Sequence, residues 1–359
     1  MKINSRHWIV SASIGFLFMA CVKDIPHPDT QLIPDTQHKG VFMLHEGAYG
    51  NNNSEFSYLD FSNGQLSESI YHTVNGSSLG DVAQSVYRFQ QHLFIALTNS
   101  NEVIELDALN FKEIHRYSSI SSPRYMLAVN DSLIYVSSLY QNKVFVLNHR
   151  SQQIVSSIAL DYANSEQMVL KNSTVWLTSW HVQCNYVYKI NAQTHTILDR
   201  ITLPGFAPHG IVEDKNGLIW VLSGNQYKSV TSHLTCIQSS NGDIISDFTF
   251  PTSAEPIKLS MNPTKDTLYF IGVNYAGNSV YNGLYRMSIN DTSLPTQPFI
   301  TANNNSYYWG YGIDPITHDI YLSDPKGFTQ HSTIYVYSST GSSLRQFEGG
   351  IGTNSFLFY

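Results

Sequence analysis

Between Ser121 and Leu160 the chain alternates short apolar runs with polar clusters. Pro123–Val129, Leu133–Leu139, Lys143–Leu147 and Ile154–Leu160 are apolar or alternating, and Asn-Asp-Ser, Tyr-Gln-Asn and Asn-His-Arg-Ser-Gln-Gln separate them. Runs of this length, rich in β-branched and aromatic residues and broken by Asn, Asp, Ser and Gln, predict a four-stranded antiparallel meander. One such sheet cannot cover both of its faces, so the pattern calls for further copies.

The copies are visible as a repeated apolar–aromatic–apolar strand. It is centred on Phe42, Phe94, Tyr135, Trp176, Trp220, Tyr269 and Tyr321, at spacings of 52, 41, 41, 44, 49 and 52 positions. A second strand follows each anchor and often ends in a turn-forming residue, as at Asp60, Asp107, Asn148, Asn191 and Asn290. Asx side chains there bond the backbone ahead and start the turn into a third strand. An innermost strand precedes six of the anchors. Phe42 has none before it, while the C-terminal Gly-Thr-Asn-Ser-Phe-Leu-Phe-Tyr is left over. The expected fold is all-β: a seven-bladed β-propeller of four-stranded antiparallel blades over 39–359, with the C-terminal strand closing the first blade.

Two N-terminal segments stand apart from this pattern. Residues 1–20 carry Lys2 and Arg6 ahead of an apolar stretch too short to span a bilayer, which reads as a signal peptide. Phe-Met-Ala-Cys ends at Cys21 and resembles a bacterial lipobox, so Cys21 is the expected lipidation site. Residues 21–38 then read as a lipidated Cys and a solvated, proline-containing tether.

Composition narrows the function. Charged residues make up 13% of the chain and the net charge is −7; without the leader, 18 basic residues face 27 acidic ones. That balance leaves no basic footprint for nucleic acid. Cys184 and Cys236 make no disulfide framework and read as buried thiols, and no paired Cys/His spacing suggests zinc. Neither a metal nor a cofactor is expected.

His45–Asp60 (His-Glu-Gly-Ala-Tyr-Gly-Asn-Asn-Asn-Ser-Glu-Phe-Ser-Tyr-Leu-Asp), Leu79–Val86, Ser121–Met126 and Ser165–Val169 together resemble the YncE-like propeller lipoproteins of Bacteroidota. The resemblance is strongest in the first four units and weakens in the last three. It implies a lipoprotein anchored in the outer membrane, on the cell surface, acting beside a TonB-dependent transporter. One branch, the BtuG type, is implied to capture cobalamin.

Ligands of propellers usually sit where the innermost strands open onto the central channel. Aligning those strands places Asn354, Gln84, Arg124, Glu166, His209, Ile257 and Tyr311 at that mouth, with Arg124 the permanent cation beside Glu166. This mixed polar set suits hydrogen bonding to a polar organic ligand, or the groups satisfy one another and channel water. Longer loops on the same face add Tyr49, Tyr140, Trp180, His181, Tyr227, Tyr275, Tyr308 and Trp309, where rings and amides would stack on a large ligand such as cobalamin or a glycan, or pack between blades. The leading expectation is a ligand-binding surface lipoprotein without enzymatic activity. A propeller lyase or lactonase, or a protein-interaction scaffold, is the alternative. No Gly-x-Ser-x-Gly or His-Glu-x-x-His motif is present, and Asp266, Asp314 and Asp324 read as turn residues.

Overall fold

The computed structural model describes residues 39–224, 230–275, 280–303 and 306–359. The expected leader, Cys21, the tether and Tyr227 lie outside the described residues. The described residues form one compact unit.

The unit is a β-propeller with four-stranded antiparallel blades. Five separate four-stranded sheets run within 83–118, 123–159, 165–202, 208–249 and 256–301. The remaining strands form one eight-stranded sheet. One half holds Gly310–Ile313, Ile320–Asp324, His331–Tyr337 and Ser343–Ile351; the other holds Thr353–Phe358, Gly40–His45, Glu55–Asp60 and Leu66–Ser67. A single parallel residue pair, Tyr311 with Ser355, joins the halves. The C-terminal strand Thr353–Phe358 pairs antiparallel with Gly40–His45, so the two ends of the described chain share one sheet. Among the described residues, helix is confined to Ile70–Asn75 and a 3₁₀ turn at Lys326–Phe328. No helix there is long and apolar enough to cross a membrane.

The apolar–aromatic–apolar repeat works as the pattern requires. Phe42, Phe94, Tyr135, Trp176, Trp220, Tyr269 and Tyr321 are all buried. Each core lies between successive sheets: Phe42 and Phe56 pack with Leu93 and Leu106, Tyr135 and Val146 with Val175 and Ile190, and Trp220 and Leu234 with Leu268 and Phe270. Burying one such large side chain contributes about 1.5–3 kcal/mol. A lone meander could not realise this, because half of each cluster comes from its neighbour. The predicted Asx turns form at Asp60, Asp107, Asn148 and Asn191, whereas in the turn at Asn290 the acceptor is Asp291 Oδ2, from the Ser288 amide at 2.9 Å. Asp107 Oδ1 accepts from the amides of Leu109 (2.8 Å) and Asn110 (3.0 Å), and Asn191 Oδ1 from those of Gln193 and Thr194, both at 2.8 Å. Asp314 does the same for Ile316 and Thr317. Cys184 and Cys236 are buried free thiols.

Candidate functional site

The innermost strands are irregular at one point, and that irregularity builds the site. In five sheets the pairing of the innermost strand with its neighbour slips by a β-bulge near its first residues, between Ala83 and Ser85, Pro123 and Met126, Ser165 and Met168, Pro208 and Gly210, and Ile257 and Ser260. The extra residues are Gln84, Arg124 with Tyr125, Glu166 with Gln167, His209, and Lys258 with Leu259. A bulge leaves its extra residue out of the ladder and re-aims its side chain. The residue ahead of four of these strands is left-handed: Val82 (φ 57°), Ser122 (43°), Asn164 (62°) and Ala207 (56°). For non-glycine residues, and above all for β-branched Val82, that conformation is strained and persists only where the surroundings enforce it.

The bulged side chains meet at the channel. Arg124 pairs with both oxygens of Glu166, Nε to Oε1 at 2.9 Å and Nη2 to Oε2 at 3.3 Å, and its Nη1 donates to Gln84 Oε1. A second knot forms beside it and shares Gln84. Asn354 Nδ2 donates to Glu46 Oε1 (2.7 Å) and to the carbonyls of Ala83 (2.9 Å) and Gln84 (3.0 Å). Trp309 Nε1 donates to the same Glu46 oxygen at 2.8 Å. Lys258 reaches between them, with Nζ 3.4 Å from the Asn354 carbonyl and 5.1 Å from the Trp309 ring centroid. Beneath lies a cavity of about 380 Å³ lined by Gln84, Tyr125, Gln167, Lys258, Tyr311 and Asn354, among others. A smaller cavity of about 300 Å³, around Tyr58, Ile70 and Phe111, holds none of these groups.

Two cations and two carboxylates are thus enclosed together. Burial raises the pKa of Glu166, opposed by Arg124. Arg124 loses hydration too, but the Glu166 charge keeps its pKa above the usual value. Lys258 is half-buried in the cavity wall. That enclosure lowers its pKa to about 8, with Glu46 and Glu166 acting in the other direction. His209 is lowered to about 3 by burial alone and is neutral at physiological pH. Buried ion pairs of this kind contribute little net stability, because desolvation offsets the attraction. They serve better as a preorganised polar surface.

One predicted mouth residue and one predicted loop aromatic are placed differently from the expectation. Gln84, Arg124, Glu166, His209 and Asn354 stand in the ring. Ile257 does not: it still pairs with Ile271, because the bulge in that sheet comes one residue later and turns out Lys258. Arg124 is therefore not the sole basic side chain there. No alignment of strand starts could have revealed Lys258, since a bulge shifts facing by one residue. Tyr311 lines the cavity, but its hydroxyl is tied to Ser260 Oγ (2.7 Å) and to the carbonyls of Lys258 (2.7 Å) and Tyr269 (2.9 Å).

Among the loop aromatics, Tyr49 and Tyr140 are 79% and 71% exposed, and Tyr275 is 41% exposed. The Tyr49 loop is pinned from below by Asp81, which accepts from the Gly50 amide at 2.9 Å, and by Asn53, which accepts from the Ala48 amide at 2.8 Å. Tyr275 packs 5.4 Å from Tyr307 and 6.5 Å from Trp309. Trp180 is half-buried, with its ring 5.1 Å from His209 and its Nε1 donating to the Gly224 carbonyl at 2.6 Å, so it bridges adjacent sheets. His181 stacks on Tyr162 at 4.7 Å. Tyr308 is the other correction. It is fully buried and packs with Tyr335 and Tyr337, because alternation turns Tyr307 and Trp309 outward and Tyr308 into the core. His45, adjacent to Glu46, is also structural: its ring nitrogens bond Thr353 (2.8 Å) and Ser57 (2.9 Å), and burial lowers its pKa to about 3.

Several solved structures share this fold. The chain is similar to a quinonprotein alcohol dehydrogenase-like protein from Bacteroides thetaiotaomicron, at 14% identity and TM-score 0.69, covering 89% of this chain and 78% of that one. It is similar to a periplasmic gluconolactonase from Pseudomonas aeruginosa (10% identity, TM-score 0.64, 89% and 99% covered). It is also similar to virginiamycin B lyase from Staphylococcus aureus (16% identity, TM-score 0.56, 74% and 83% covered). Identities this low establish a common fold and nothing about chemistry. No curated protein matches the chain in sequence. The family described as a domain of unknown function, DUF5074, matches residues 39–349, and the chain belongs to it.

Proposed function

We propose that this protein is a ligand-binding propeller that receives a polar organic molecule at the channel mouth. The observation that carries this reading is the bulge-built ring of Gln84, Arg124, Glu166, His209 and Lys258 at a cavity of about 380 Å³, on a molecule whose loops also expose the rings of Tyr49, Tyr140 and Tyr275. Charged groups held in place by one another, together with open aromatic faces, suit a ligand that offers both hydrogen-bonding groups and flat surface. A cobalamin-like compound is the first choice and a glycan the second. The eight-stranded sheet counts in this reading as two blades touching at one residue pair, which makes the propeller seven-bladed.

The lipobox at Cys21 and the resemblance to YncE-like and BtuG-type lipoproteins support a lipid-anchored protein at the outer-membrane surface, passing its ligand to a TonB-dependent transporter. Calorimetry with cobalamin and cobinamide tests the specific ligand. Binding heat is expected, with affinity reduced about tenfold by Tyr49→Ala or Tyr275→Ala. Absence of heat and of any melting shift removes cobalamin from the reading. Co-purification of the lipidated protein with a β-barrel transporter tests the partner.

A second reading, a lyase or lactonase, rests on Lys258. An amine whose pKa is lowered to about 8, beside Glu46 and Glu166, is partly neutral near physiological pH and available as a base. Under this reading wild-type protein turns over a member of a lactone or lyase substrate panel, and Lys258→Met abolishes that turnover while leaving binding measurable. A panel without turnover by the wild type ends it.

A further inference from the structure

We propose that His92, Glu105 and His149 form a binding site for a borderline divalent metal ion of the zinc type, clipping two neighbouring blades together away from the channel mouth. His92 opens the strand His92–Leu97, at the end remote from the mouth, since the innermost strand Ala83–Phe89 starts at the mouth and turns back just before it. Glu105 pairs with Phe94 in the register of that sheet, which puts the His92 and Glu105 side chains diagonally on one face. His149 arrives from the next sheet, immediately after the strand Lys143–Asn148. The three residues span 92 to 149 in sequence, so no local spacing announces them. One ligand atom from each lies within 4.8 Å of the others.

The cluster is built around one buried carboxylate. Glu105 is fully buried, and its Oε1 has no hydrogen-bond partner. That oxygen faces His92 Nδ1 at 2.8 Å and His149 Nδ1 at 3.7 Å. The 2.8 Å approach does not meet hydrogen-bond geometry, and His92 Nδ1 is also buried without a partner. The outer contacts are those of metal ligands. His149 Nε2 lies 3.0 Å from the Asp131 carbonyl, and a carbonyl only accepts, so Nε2 carries the proton. With the proton on Nε2, the ligating nitrogen is Nδ1, 3.7 Å from the carboxylate. Tyr117 donates its hydroxyl to Glu105 Oε2 at 2.7 Å, which orients the carboxylate. Outer hydrogen bonds of this kind fix tautomer and direction in zinc sites.

Two imidazoles and one carboxylate make a donor set that suits zinc or a similar first-row ion. Tetrahedral coordination with bonds of about 2.0–2.1 Å places ligand atoms roughly 3.3 Å apart. The distances of 2.8 and 3.7 Å bracket that value, so small rotations about the side-chain bonds suffice. His92 is 27% exposed at its side chain, so the cluster lies near the surface, and a water is the expected fourth ligand. Phe89 and Phe94 stand edge-on to His149 at 5.8 and 6.2 Å and shield the rest.

The test uses the full chain after treatment with a chelator. Zn²⁺ at about 100 times its dissociation constant is expected to raise Tm by about 3 °C. Co²⁺ is expected to give the intense visible absorption of a four-coordinate site with nitrogen and oxygen ligands. Glu105→Gln and His149→Gln should lose both signals, while His72→Ala, an exposed histidine elsewhere, should keep them. If either buried variant fails to fold by circular dichroism, His92→Ala decides, because its ring is partly exposed. Wild-type protein showing neither signal overturns the site. So does a folded cluster variant that retains both, since binding would then belong to other histidines.

Discussion

At the residue scale the decisive feature is Lys258. Its backbone is left-handed (φ 56°), it sits in a bulge, and its ammonium is enclosed with Arg124, Glu46 and Glu166. A lysine whose pKa falls from 10.5 when unfolded to about 8 when folded releases its proton earlier in the folded state. Between those values the unfolded chain binds more protons, so stability contributed by this group rises with pH; below about 8 both states are protonated and the slope vanishes. Denaturant titrations from pH 8 to 10.5 are therefore expected to show a rise, on the order of 2 kcal/mol, in the wild type relative to Lys258→Met. Equal slopes in the two proteins would place the ammonium in water. His209 works in the acid range with the same sign. Its pKa drops from 6.5 to about 3, so the stability it contributes is lost as pH falls below 6.5, and His209→Gln should flatten that acid slope.

At the element scale, the bulged innermost strand is the device that turns a repeated scaffold into a site. The ladder beyond each bulge is regular and carries the core, whereas the bulged residues differ from sheet to sheet. Glycine decides one approach between strands. A Cβ on Gly310 would meet the backbone of Asn354 at 2.6 Å, just where the halves of the eight-stranded sheet touch. Gly310→Ala is expected to cost about 1–3 kcal/mol by thermal or chemical melting and to displace Asn354 from Glu46. An unchanged melting curve would mean that the two halves part easily there.

At the scale of the whole molecule, the fold depends on joining the chain ends. Thr353–Phe358 completes the sheet that begins at Gly40, Lys39 N donates to the Tyr359 carbonyl at 2.7 Å, and Tyr359 packs on Tyr58 and Phe111. Removing 353–359 exposes both a strand edge and a core face, so the truncated chain is expected to aggregate or to melt far below the full chain by calorimetry. A truncated protein as stable as the intact one would contradict closure by this strand. The sequence alone determined the repeat, the buried aromatic anchors, the Asx turns and the pairing of the last strand with the first. These follow from periodicity and local backbone chemistry, which are written in consecutive residues. It also brought five of the ring residues into view, because they sit at fixed offsets from strand starts. Only the tertiary structure decided that Lys258 replaces Ile257, that Tyr307 rather than Tyr308 faces outward, that Glu46 is drawn into the ring, and that His92, Glu105 and His149 converge. A bulge moves facing by one residue without changing composition, and contacts between sheets join residues that no local spacing relates.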